Sequence, residues 1–128
     1  MDELEYALEW FSFAETDLGS AEYLQGRRPL PVEIICYLCQ QSAEKSLKGF
    51  LALQGIQPPR IHKLDELCRL GMTYLTDFQD ILTPCNLLNR YGVQPRYPRE
   101  IVIEPENVAD ALKQAKIILD FVKPLLKK

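Results

Sequence analysis

Cys36-Tyr37-Leu38-Cys39-Gln40-Gln41-Ser42-Ala43-Glu44-Lys45-Ser46-Leu47-Lys48-Gly49-Phe50-Leu51 occupies the middle of the chain, and its spacing decides the fold. With Val32 and Ile35 before it, the apolar residues Cys36, Cys39, Ala43, Leu47, Phe50 and Leu51 fall at helical intervals. A helix is predicted over about 32–54, ended by Gly55. Upstream, Leu4, Ala7, Phe11, Ala14, Leu18 and Ala21 mark one face of a first helix, widened by Tyr6, Trp10 and Phe13. The stretch Gln25 to Pro31 breaks the two apart.

Downstream, the prolines punctuate the chain. After Pro58-Pro59, residues 62–70 read as a short third helix with Leu64, Leu67 and Cys68 inward, Asp65 and Glu66 in its first turn, and Gly71 as its stop. Residues 77–91 keep helical spacing through Phe78, Ile81, Leu82, Cys85 and Leu88, so a fourth helix kinked at Pro84 is preferred over a new start capped by Thr83. The proline-broken stretch 92–105 is expected to be extended. A last helix follows Pro105 with Val108, Ala111, Leu112, Ala115, Ile118, Leu119 and Val122 on one face. Only Ile101-Val102-Ile103 looks strand-like, too little for a sheet. The fold class expected is all-α, an antiparallel up-and-down bundle of four to five helices in one domain over 1–128.

Composition narrows the function. The chain has 128 residues, 47% of them hydrophobic and 26% charged, enough apolar surface for a folded core. Fifteen Lys+Arg against 18 Asp+Glu leave a net charge of −3, so any nucleic-acid contact needs a local basic patch. No apolar run reaches the ~18 residues needed to span a bilayer. Met1-Asp2-Glu3-Leu4-Glu5 is acidic where a secretory signal is basic, which predicts a cytoplasmic protein with reduced thiols.

Four groups of residues carry chemistry. Cys36 and Cys39 form a Cys-x-x-Cys pair inside a periodic helix, with Cys68 and Cys85 isolated, and read as core packing rather than a metal or disulfide site. Gln41, Glu44, Lys45 and Lys48 share two turns of the second helix, with Glu44 and Lys48 at i,i+4. They form either a solvated face or a polar group that needs partners across the bundle or a dimer interface. His62, the only histidine, precedes the third helix, where its ring can cap that helix or bond Glu44. The stretch Asn89 to Arg99, with Arg90, Arg96, Arg99, Tyr91 and Tyr97, is the most basic and aromatic in the chain. It can hold phosphates and stack bases, or its tyrosines can pack on the bundle. Asp77 and Asp80 have no strand or Gly-Ser loop to present them, so self-contained nucleotidyl transfer is discarded.

Ala14-Glu15-Thr16-Asp17-Leu18-Gly19-Ser20-Ala21, the Gln-Gln-x-x-Glu-Lys-x-x-Lys run from Gln40 to Lys48, Arg60-Ile61-His62-Lys63-Leu64 and Arg96-Tyr97-Pro98 together resemble the HEPN family, the higher-eukaryote and prokaryote nucleotide-binding domains. The resemblance covers nearly the whole chain and implies a helical bundle that commonly dimerises. Ribonuclease members carry an arginine followed, after four to six residues, by a histidine; that pair is missing here, whether sought from Arg90, Arg96 or Arg99 or backwards from His62. Arg-Tyr-Pro-type members are similar to small proteins that act beside a minimal nucleotidyltransferase. The resemblance therefore implies a non-catalytic, homodimeric HEPN protein that binds a nucleotide or a nucleotidyltransferase partner in a toxin–antitoxin-like pair. Its candidate set is Gln41, Glu44, Lys45, Lys48, His62, Arg96 and Tyr97. No cofactor is expected beyond a bound nucleotide such as ATP. The alternatives are a metal-independent ribonuclease with a degenerate site and a purely structural dimerisation module.

Overall fold

The computed structural model describes residues 2–92 and 103–126. Helix α1 (Glu3–Leu24) starts where the Asp2 carboxylate accepts a hydrogen bond from the Glu5 N–H at 2.7 Å, satisfying one of the amides that a helix start leaves open. It buries Ala7, Phe11, Ala14, Leu18 and Ala21, five of the six positions the periodicity selects. Phe13 departs from the expected face and is 60% exposed.

Helix α2 (Val32–Leu53) ends at Gly55, whose φ of 84° is left-handed and suits glycine. It runs antiparallel to α1, since Ser42 reaches the Ala14 carbonyl while Gly49 lies against Ala7. The two backbones approach closely there: a Cβ on Gly49 would sit 3.2 Å from the Ala7 carbonyl oxygen and 3.4 Å from the Trp10 Cβ. Helix α5 (Glu106–Val122) packs on α2 and runs antiparallel to α1, with Lys123 just beyond its end paired to Glu15 at 3.6 Å. Helix α2 is therefore central and buries residues on nearly every side, from Val32 to Ala52.

The segment between α2 and α5 differs from the sequence expectation in two places. Helix α3 (Leu64–Met72) runs through Gly71, which is no stop; a Cβ there would lie 3.0 Å from the Phe78 ring, so the missing side chain makes room for that aromatic. The kinked fourth helix is instead three pieces: a 3-10 helix at Thr76–Ile81, helix α4 (Leu82–Leu88) and a 3-10 turn at Asn89–Tyr91. Pro84 lies in the first turn of α4, where a missing N–H costs nothing, and Ile81 rather than Thr83 is the capping position. Phe78 joins these short pieces to the core, with Phe50 and Phe121 at ring-centroid distances of 4.5 and 5.0 Å. A 3-10 turn at Lys123–Leu126 closes the described chain. The result is an all-α bundle with no strand among the described residues.

Candidate functional site

The polar run of α2 points inward. Gln40 is fully buried, and Glu44 and Lys48 are each 5% exposed, so the solvated-face reading fails for these three. Lys48 Nζ donates to Glu44 Oε2 at 3.0 Å, closing the i,i+4 pair inside the fold. Nδ1 of His62 lies 3.1 and 3.3 Å from the two oxygens of the same carboxylate. An ionised carboxylate only accepts, so Nδ1 carries the proton and Nε2 is left on a ring whose side chain is 73% exposed. One buried carboxylate thus holds a buried ammonium on one side and a solvent-facing imidazole on the other.

The loop that carries His62 is clamped from two directions. Gln40 Nε2 donates to the His62 carbonyl at 3.1 Å, and Gln41 Nε2 donates to Gln40 Oε1 at 2.8 Å. On the far side, Asn89 Oδ1 accepts from the Leu64 N–H at 2.7 Å, capping α3 from 25 residues away, and Asn89 Nδ2 donates to Asp65 Oδ1 at 2.6 Å. His62 is thus bonded to Glu44 and is not the cap. Lys45 turns toward α1, 2.6 Å from Asp17, with its Nζ 5.9 Å from the Phe13 ring centroid. Lys48 lies 5.8 Å from the Trp10 ring centroid.

Of the seven candidates named from sequence, Glu44, Lys48 and His62 meet directly, Gln41 reaches them through Gln40, and Lys45 lies one turn away. Arg96 and Tyr97 lie outside the described residues, as do Arg99 and most of the stretch expected to be extended. Two contributors, Gln40 and Asn89, lie in stretches quoted from the sequence but outside its candidate set. Gln40 sits on the apolar stripe itself, four residues after Cys36, a position that signals burial. Asn89 left no signal because its partner is so distant in sequence.

A family model of the HEPN domain matches residues 7–125. The chain belongs to the HEPN family. Its fold is similar to that of the crystal structure of ST0689, an archaeal HEPN homologue, at 30% identity and a TM-score of 0.72, covering 94% of this chain and 98% of that one. It is also similar to the crystal structure of TT1696 from Thermus thermophilus, at 26% identity and a TM-score of 0.77, covering 92% and 96%. No curated protein matches the chain.

In this HEPN bundle the four cysteines are all buried among apolar residues, as core packing requires. Burial pushes the Cys36 and Cys39 thiols up to about 11 and about 12, which keeps both protonated and unreactive at neutral pH. The Cys85 thiol is also raised, by its hydrogen bond with Cys68 and by burial. Among the described residues no group of three His, Cys, Asp or Glu side chains is placed to hold a metal ion. None of their helices is long and apolar enough to cross a membrane. Tyr91 packs into the core at 3% exposure, with the Arg90 guanidinium 5.2 Å from its ring centroid. Gly92 follows it against the Gln40 side chain.

The Asn89 clamp yields a pH-dependent prediction. The hydrogen bond from Asn89, with that from Arg69, holds the Asp65 carboxyl below its usual range. A group depressed in the folded state adds stability above its unfolded pKa and loses it as pH falls through the folded value. Asn89→Ala should cost about 1 kcal/mol at neutral pH through the lost cap together with the lost bond to the Asp65 carboxylate. That deficit should narrow as Asp65 protonates in acid. Urea melts between neutral and acid pH, with an NMR titration of Asp65 moving back toward the ordinary range, check both statements.

Proposed function

We propose that this HEPN protein is a non-catalytic, homodimeric binding bundle that holds the phosphates of a nucleotide at the His62 surface, beside a separate minimal nucleotidyltransferase in a toxin–antitoxin-like pair. The observation that carries the reading is the Glu44 carboxylate, buried by the fold yet shared between Lys48 and an exposed His62. A carboxylate so placed fixes the imidazole through Nδ1, and in the protonated ring the free Nε2–H donates to a phosphate oxygen. Lys45, at 27% side-chain exposure, is the nearest partly open ammonium on α2. Arg96 and Tyr97 complete the proposed set, as phosphate contact and base-stacking surface. The chain that bears them leaves the described part at Gly92, against Gln40.

The non-catalytic reading rests on the sequence, where no arginine stands four to six residues before a histidine. A fixed imidazole alone supplies one acid–base group and no second group for the developing charge on phosphorus.

Thermal melts with ATP test the proposal. A ligand that binds only the folded state at about 100 times its Kd adds about 2.7 kcal/mol, so the wild-type midpoint should rise several degrees. His62→Ala and Arg96→Ala should each reduce that rise by at least half while leaving the ligand-free fold intact. No shift in the wild type at millimolar ATP overturns nucleotide binding in favour of the dimerisation module. Metal-independent cleavage of single-stranded or folded RNA that vanishes in His62→Ala overturns the non-catalytic reading.

A further inference from the structure

Helix α1 presents an acidic surface with an aromatic ridge. Its charged residues are Glu3, Glu5, Glu9, Glu15, Asp17 and Glu22, with no lysine or arginine among them. Asp17 and Glu15 take Lys45 and Lys123, at 2.6 and 3.6 Å. Glu9 is exposed and has no hydrogen-bond or ion-pair partner among the described residues. It stands with Tyr6, Trp10 and Phe13 on one side of the helix, and the four side chains line a cleft of about 130 Å³. Tyr6 and Trp10 meet edge to face with ring centroids 6.2 Å apart, and Phe13 is open to solvent.

The charge at this cleft is one-sided. Lys48 and Lys45 lie over Trp10 and Phe13, but neither lines the cleft. Each is neutralised by its own carboxylate, Glu44 at 3.0 Å and Asp17 at 2.6 Å. What the cleft offers is the Glu9 charge, the Tyr6 ring and the aromatic surface of Trp10 and Phe13 that the two lysines leave uncovered, a combination that attracts a cation. Its size narrows the choice further. Small-molecule sites are concave and run from ~300 to ~1,000 Å³, whereas this cleft is smaller and lies along the convex face of one helix. It fits one side-chain head group delivered by a larger partner. A guanidinium is planar enough to stack on the rings while its N–H groups fork onto the carboxylate, which an ammonium cannot do.

We propose that the cleft of Tyr6, Glu9, Trp10 and Phe13 receives an arginine from a basic segment of a partner protein. The remaining acids of α1 attract the bases that flank that arginine and speed its approach.

Trp10 is the only tryptophan, so its emission reads this site alone. The full chain is titrated with acetyl-Gly-Arg-Gly-amide and with the same peptide carrying citrulline, which keeps the shape and lacks the charge. The arginine peptide should give a saturable change with a Kd of about 1–10 mM, weakening several-fold between about 50 and about 300 mM salt. Citrulline should bind at least about tenfold more weakly. Glu9→Gln and Phe13→Leu, both at exposed positions, should weaken the arginine peptide about fivefold or more with unchanged circular dichroism. His62→Ala should leave the titration unchanged, which separates this site from the nucleotide proposal. Equal binding of the two peptides, no response to the arginine peptide, or an unaffected Glu9→Gln variant each overturns the assignment.

Discussion

Lys48→Met should lower the stability of the bundle by about 3–5 kcal/mol, the cost of leaving a buried carboxylate without its ammonium. For a chain of this length that is a fall of roughly 10–20 °C in the thermal midpoint. The side chains of Glu44 and Lys48 are each 7% exposed, so solvent cannot substitute for the lost partner. His62 touches the same carboxylate, but largely from solvent, and can replace the ammonium charge only when protonated. The double variant Glu44→Leu/Lys48→Met removes both charges and should recover most of the loss, because a buried ion pair is little better than well-packed apolar groups. Urea unfolding of the four proteins in the cycle provides the measurement. A single variant that loses less than about 1 kcal/mol would show the pair to be solvated in solution.

Phe78→Ala ranks next, at about 3–5 kcal/mol. Phe78 is fully buried between the rings of Phe50 and Phe121, and the space left by Gly71 is shaped to it. Truncation opens a cavity where α2, α3 and α5 meet the 3-10 helix. Phe78→Leu keeps most of the volume and should cost less than half as much, losing mainly the ring contacts of about 0.5–1.5 kcal/mol. Denaturant midpoints of the two variants separate the cavity from the aromatic contribution.

These two sites show which parts of the molecule were legible in the sequence. The limits of α2 and α5 followed from Pro31, Gly55 and Pro105, because backbone restrictions act locally and need no knowledge of neighbours. The Glu44 and Lys48 pairing was equally local, four residues on one helix. Its burial was not, since it depends on the His62 loop, on Trp10 and on the tight crossing at Gly49 covering a stripe that looks amphipathic by itself. Gly71 misled for a related reason: glycine near the end of a short apolar run resembles a stop, yet here it accommodates the ring of Phe78, seven residues on. The preferred kink at Pro84 failed because the preceding residues take tighter 3-10 geometry, while proline suits the first turn of a new helix.

The Asn89 side chain has a consequence for how the middle of the chain comes together. Helix α3 has nine residues, too few to persist in water without outside support. Its first amide is satisfied only when the chain has passed through the 3-10 helix and α4 and returned with Asn89. The start of α3 and the end of α4 therefore share one bond, and hydrogen exchange at the Leu64 amide should be protected only while the Asn89 turn is in place.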